Sequence, residues 1–175
     1  MPPDGNGRYL SVRVQVGWGD CDPAGIVYFV NFFFQRVIGI NRDCPWSVNF
    51  TSRVTCPQRI TLHPSVRESI AVSGGCYIQA TNGLEIGQDT IIAPGVKIIT
   101  ANHSLTDFNQ WDAAPPIRIG SHCWLGANAV ILPGVQLGDG VVVGAGSVVT
   151  KSFPDSCVIG GVPARVLRSR EAVPS

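Results

Sequence analysis

The chain has 175 residues, six cysteines and a net charge of +1, and 45% of its residues are hydrophobic. This length suits one domain with a core of its own, and its basic residues, eleven arginines and two lysines with no basic run, offer nothing that would track a nucleic-acid backbone. No apolar stretch reaches the ~20 residues of a bilayer span, and Met1 to Gly7 lack the basic and apolar regions of a signal peptide, so a cytoplasmic protein without membrane contact is expected.

In chain order, residues 1–29 read as an N-terminal extension. Residues 30–53 follow as a short helix and cap, because Val30 to Ile40 is an almost continuous apolar run with a glycine near its end. From Val54 the chain counts in sixes. Aliphatic residues stand at Val54, Ile60, Val66, Val72 and Ile78, then, after a two-residue slip at Thr81-Asn82-Gly83, at Ile86, Ile92 and Ile98. An excursion over 104–117 intervenes, and the count resumes at Ile119, Leu125, Ile131, Leu137, Val143 and Val149. A glycine usually follows each aliphatic of this last series, a compact residue stands four after it, and turn pairs such as Pro133-Gly134 and Asp139-Gly140 fall between. Each hexad is therefore one short strand and one corner, and three hexads, roughly 18 residues, close a triangular coil. Stacked coils pair their strands in parallel ~4.8 Å apart and fill the prism axis with aliphatics. About five coils are expected over 54–170, closed by Cys157 to Arg170, with 171–175 as a tail. The fold class is all-β, a parallel β-helix with a helical N-terminal cap. The six cysteines show neither CxxC nor finger spacing and read as small, reduced core residues.

The segment PIRIGSHCWLGANAVILPGVQLGDGVVVGAGSVVTKSFPDSCVIGGVPARVLR (116–168) resembles the C-terminal half of the galactoside and maltose O-acetyltransferase branch of hexapeptide acyltransferases. CYIQATNGLEIGQDTIIAPGVKIITANH (76–103) is similar to sugar acetyltransferases of polysaccharide biosynthesis. The resemblance implies a left-handed coil, against the right-handed rule for parallel crossovers. It also implies a homotrimer that binds acetyl-CoA between adjacent prisms, and a histidine general base presented to a small hydroxyl acceptor such as a sugar, with no metal required.

A sugar hydroxyl attacks a thioester poorly until a base removes its proton, and histidine, with an ordinary pKa of ~6.5, suits that task. His103 lies where the regular strand 98–102 gives way to the excursion and is the expected base. His122, in a corner, and His63, beside Pro64, read as structural. The oxyanion donor carried over by the motif is the Ala127 amide, with Trp124 as a wall of the CoA cleft. The resemblance assigns Ala145 to the pantetheine arm and Thr150, Lys151, Arg165 and Arg168 to the adenine and phosphate end. The clustering of these cations makes independent sense against phosphates. Asn82, Asp107 and Trp111, with Asp112 beside them, are the residues placed to meet the acceptor, whose identity stays open.

Three alternatives stand beside this reading. A hexapeptide prism can serve as a non-catalytic binding scaffold. Three histidines on a β-helix also suggest the zinc of a γ-class carbonic anhydrase, but spacings of 40 and 19 residues do not fit its closely paired imidazoles. Finally, VGWGDCDPAGIVYF (16–29) is similar to the opening motif of hot-dog thioesterases of the 4-hydroxybenzoyl-CoA type, which would give Asp22 a hydrolytic role; such a fold needs ~120 residues around one long helix, and this chain is counting in sixes by Val54.

Overall fold

The computed structural model describes residues 23–169; the Asp22 expectation and the tail lie outside them. The expected sixes appear as five stacked coils. The first comprises β1 (Arg53–Thr55), β2 (Ile60–Leu62) and helix α2 (Val66–Val72); the second β3 (Tyr77–Gln79), β4 (Leu84–Ile86) and β5 (Ile91–Ile92). The third has β6 (Lys97–Ile99), β7 (Ile117–Ile119) and β8 (Trp124–Leu125); the fourth β9 (Val130–Ile131), β10 (Gln136–Leu137) and β11 (Val142–Val143). The fifth runs through β12 (Val148–Val149) and a bridge at Phe153 to β13 (Cys157–Gly161). β14 (Ala164–Ser169) then folds back antiparallel on β13 and closes that end.

Three flat walls result. Wall I is β1-β3-β6-β9-β12, wall II β2-β4-β7-β10, and wall III β5-β8-β11-β13-β14. All pairings are parallel except the last. Between walls lie three long edges, called here I/II, II/III and III/I. Register places Val54, Ile78, Ile98, Ile131 and Val149 in one inward column on wall I, and Ile92, Leu125, Val143 and Ile159 in another on wall III. All nine side chains are buried. Burial of this axial stack, at about 25 cal/mol per Å² of apolar surface, is what favours coiling. At the corner after Leu125 the stacking requires glycine: a Cβ on Gly126 would lie 2.6 Å from the Val143 carbonyl oxygen and 2.7 Å from the Ala145 nitrogen.

The six-count fails at two places, both in the first coil. In β2 it is Leu62, not Ile60, that stands in register with Ile86 and hence with Ile119, a shift of two residues. Val66 and Val72 do not belong to a strand; they begin and end α2, which buries Val66, Ile70 and Ala71 and leaves Val72 exposed. The residues buried at intervals of four and five follow the helical period, and no corner pair interrupts the stretch. α2 protects the open edge of wall III with a side chain: Ser69 Oγ accepts from Ile92 N at 2.7 Å and donates to Ile92 O at 3.0 Å, in place of a neighbouring strand.

The N-terminal helix also differs from expectation. α1 runs Pro23–Phe32, starting seven residues earlier than the apolar run suggested, and continues as a π-helical turn over Phe33–Ile38 that ends at Gly39, whose φ is +89°. Cys44, Cys76, Cys123 and Cys157 are buried free thiols, and burial pushes Cys123 up to about 11, well away from reactivity.

Candidate active site

Edge I/II carries the excursion. Between β6 and β7 the chain forms a small hairpin in which Asp112 N donates to Asn102 O at 2.8 Å and Ser104 N to Gln110 O at 2.9 Å, with an antiparallel bridge between His103 and Trp111. This pairing holds His103 at the stem of the loop, exposed, with its ring stacked on the Trp111 indole at a centroid distance of 4.0 Å and an angle of 30°. His103 Nδ1 lies 2.6 Å from the Phe108 carbonyl oxygen. A carbonyl only accepts, so Nδ1 bears the proton and the lone pair of the neutral ring resides on Nε2.

The other residues expected near the acceptor serve the loop. Asn82, at the corner below, donates from Nδ2 to Thr100 O at 2.9 Å and to Asp112 O at 3.0 Å, while its own N–H donates to Thr100 Oγ1. It thus ties both ends of the excursion to the second coil, which leaves Oδ1 as the atom for any outside donor. Asp107 accepts at Oδ1 from Asn109 N and Nδ2, and at Oδ2 from Gln110 Nε2. The Asn109 backbone hydrogen bond is the main reason its carboxyl lies below the usual carboxylate range. Thr150 and Lys151 stand exposed further along the same edge, with Lys151 Nζ 5.6 Å above the Phe153 ring.

Edge III/I carries a different group. Ala127 and Ala145 occupy equivalent corners of successive coils, and neither backbone N–H has a hydrogen-bond partner among the described residues. The comparison with edge II/III shows what is missing. There Ser121 N, equivalent to Ala127 N, donates to Asp139 Oδ1 at 2.7 Å, and Asp139 N donates to Asp155 Oδ1 at 2.9 Å. Aspartates cap the corner amides of one edge; on the other, alanines leave them open. Beside this edge, Trp124 projects half-exposed from wall III, in register with Ile91 and Val142. Arg165, exposed on β14, pairs with Gly160 at its far end. Arg168 pairs with Val158 on the same strand, toward edge II/III.

One chain therefore divides the expected residues. His103, Asn82, Asp107, Trp111, Thr150 and Lys151 share edge I/II; Ala127, Ala145 and Arg165, flanked by Trp124, share edge III/I. Wall I separates them by about five extended residues, roughly 16 Å. His63 and His122 lie at edge II/III, where His63 Nδ1 is 2.9 Å from Ser65 Oγ and His122 Nδ1 is 3.9 Å from Asp89 Oδ2. The three imidazoles do not converge, and no group of three metal-ligating side chains forms among the described residues.

Comparison with known proteins decides the family. Residues 116–151 match the model described as the hexapeptide repeat of succinyl-transferase. A protein of Escherichia coli (strain K12) named as the colanic acid biosynthesis acetyltransferase WcaF is 30% identical over 145 residues, which is 83% of this chain and 78% of that one. The chain belongs to the hexapeptide-repeat acetyltransferases. The galactoside O-acetyltransferase of the same organism is 42% identical over 86 residues, 47% of this chain and 42% of that enzyme. The chain spans about half the length of the curated relatives that match its repeat region. Among solved structures, a maltose O-acetyltransferase from Clostridium difficile 630 aligns with a TM-score of 0.53 and 30% identity over 66% of this chain and 68% of that one. Within this family, α1 takes in residues 23–29 of the thioesterase-like segment. No antiparallel sheet wraps α1 among the described residues; it packs on α2 instead.

Sequence reading missed three partners. The Phe108 carbonyl that sets the His103 tautomer is a backbone atom, and no residue type announces it. The Thr100 and Asp112 carbonyls that hold Asn82 are hidden for the same reason. The aspartate caps were readable, since Asp139 and Asp155 occupy the corner positions that alanine occupies one edge away.

Proposed function

We propose that this chain is an acetyl-CoA-dependent O-acetyltransferase, folded as a left-handed prism and active as a cytoplasmic homotrimer, with His103 as general base. The observation that carries the reading is the His103 geometry: Nδ1 is committed to the Phe108 carbonyl and the ring is braced by Trp111, so Nε2 is the basic atom at the mouth of the edge. The family and the sugar-related names of its relatives support a sugar or other small hydroxyl acceptor. Five free cysteines among the described residues, four of them buried, suit a reducing compartment.

In this reading His103 Nε2 takes the proton of the acceptor hydroxyl as its oxygen bonds to the thioester carbonyl carbon. The negative charge that develops on the carbonyl oxygen is met by the open Ala127 amide, which needs no reorganisation to donate. The C–S bond then breaks, the imidazolium returns its proton to the departing sulfur, and the products are the acetyl ester and CoA thiol. The Ala145 amide receives the pantetheine arm beside Trp124, while Thr150, Lys151 and Arg165 meet the nucleotide end; Arg168, expected with them, lies toward edge II/III instead. Asn82, Asp107 and Trp111 shape the acceptor side, Asn82 through its Oδ1 and Asp107 through the loop it orders.

Base and oxyanion donor lie on opposite sides of wall I, so a complete site needs edge I/II of one copy against edge III/I of the next. Such a contact joins unlike edges, and three triangular prisms close it into a ring.

The test is thiol release from acetyl-CoA with hexoses, aminosugars, galactosides and small alcohols. For any accepted substrate, His103→Ala is expected to lower kcat by about 10²–10⁴-fold, while His63→Ala and His122→Ala change it by less than roughly threefold. A His103→Ala variant that turns over at the wild-type rate places the base elsewhere, and a chain with no calorimetric affinity for acetyl-CoA is a scaffold.

A further inference from the structure

α1 and its π-helical continuation are inverted with respect to an ordinary surface helix. Their two polar side chains that lie one turn apart, Asn31 and Gln35, face the protein and are 0% and 3% exposed. Each is fully used there. Asn31 donates to Ser47 Oγ and Ala71 O and accepts from Phe50 N; Gln35 donates to Asn41 O and Trp46 O and accepts from Val48 N. The outward positions are apolar: Phe29 is 72% exposed, Phe32 and Val37 60%, and Ile26, Phe33 and Ile38 are exposed as well. A helix anchored by its polar residues and turned apolar side out is built to be covered by something apolar.

The charge around the patch says what. Between residues 23 and 75 the chain carries five arginines, Arg36, Arg42, Arg53, Arg59 and Arg67, all exposed, against two carboxylates, Asp43 and Glu68. From 76 to 169 the balance reverses, with five cations against six carboxylates. Arg36 lies on the π-helical turn itself and donates to Arg42 O; Arg67 lies on α2, which packs against α1. A depression of about 410 Å³ at the end of the helix is bordered by Arg42 and Arg53, with Asp43 on its rim. Exposed aromatics with Arg36, Arg42 and Arg67 beside them, on an element too short to span, suit a segment that lies against an anionic bilayer.

We propose that the α1 end of the prism docks on an anionic phospholipid surface, with Phe29, Phe32 and Val37 entering the headgroup–acyl boundary and the arginines facing lipid phosphates. Adsorption of this kind needs no span, and among the described residues no helix is long and apolar enough to cross a membrane. The proposal is independent of the acetyl-transfer reading, and its test does not use activity.

The full chain is sedimented with vesicles of phosphatidylglycerol and phosphatidylcholine, and with phosphatidylcholine alone. Binding is expected to the anionic vesicles, weaker to the neutral ones, and reduced as salt is raised from about 0.1 to 0.5 M. The double variant Phe29→Glu, Phe32→Glu should keep the wild-type circular dichroism and mass in solution and lose at least about tenfold in partitioning. Arg36→Glu with Arg42→Glu should lose the preference for anionic vesicles. A wild-type chain that stays in the supernatant overturns the proposal, as does a folded Phe29→Glu, Phe32→Glu variant that pellets equally well. If the wild type instead shows a larger mass by light scattering that this variant loses, without vesicle binding, the helix is covered by a second copy and the membrane is excluded.

Discussion

At edge II/III aspartates of the fourth and fifth coils, Asp139 and Asp155, cap the corner amides of the coils before them, and at edge III/I alanine stands in the same place. The difference of one carboxylate decides whether a backbone N–H is spent inside the fold or offered outward. Placing an aspartate at 145 should therefore reproduce the Asp139 cap, close the Ala127 amide and set a negative charge beside the thioester. Ala145→Asp is expected to lower kcat/KM for acetyl-CoA by about 10²–10³-fold, the cost of one oxyanion donor. The melting temperature should stay near wild type because the backbone already accommodates this cap one edge away. Full activity in a folded Ala145→Asp variant would remove Ala127 from the chemistry. His103 and Ala127 stand out in the sequence as candidates because the family resemblance carries their positions over with the motif. Asn82 and Asp107 were harder, because a polar side chain at a loop mouth satisfies backbone donors and acceptors as readily as a ligand, and here both are engaged with the loop itself.

The strands were legible for a packing reason: every sixth residue must fill the axis, so Ile119, Leu125, Ile131, Leu137, Val143 and Val149 are all buried. α2 was not, because seven residues bounded by valines satisfy a period of six and a period of 3.6 together, and only the absence of a corner pair separates them. α1 was legible as a helix but not in its start or orientation, since its apolar residues face outward and its amides inward. The join between α2 and wall III gives a direct check on the helical assignment. Ser69→Ala removes the only partner of Ile92 N among the described residues, whereas Ile92 O keeps Ser73 Oγ at 2.6 Å. A loss of about 1–3 kcal/mol is expected for the stranded N–H. At about 2–4 °C per kcal/mol for a chain of this size, the melting temperature should fall by about 2–12 °C, while Arg67→Ala, exposed on the same helix, should leave it within a degree or two. Equal melting for both variants would mean that α2 does not serve as the missing strand.

On the scale of the molecule, the proposed site is split between two edges of each copy, so that assembly and chemistry become one question. Light scattering at micromolar concentration should give three times the chain mass; a monomer would leave His103 and Ala127 on opposite sides of wall I with nothing to join them. The most direct test joins two inactive variants. In a trimer co-assembled from equal amounts of His103→Ala and Ala145→Asp chains, a site is intact when edge I/II comes from the Ala145→Asp chain and edge III/I from the His103→Ala chain. Random assembly makes that true of about a quarter of sites, so co-expressed protein should recover about a quarter of the wild-type rate although each variant alone is nearly inert. If the mixed trimers are no more active than the two parents, base and oxyanion donor do not meet across neighbouring copies, and the shared site is contradicted.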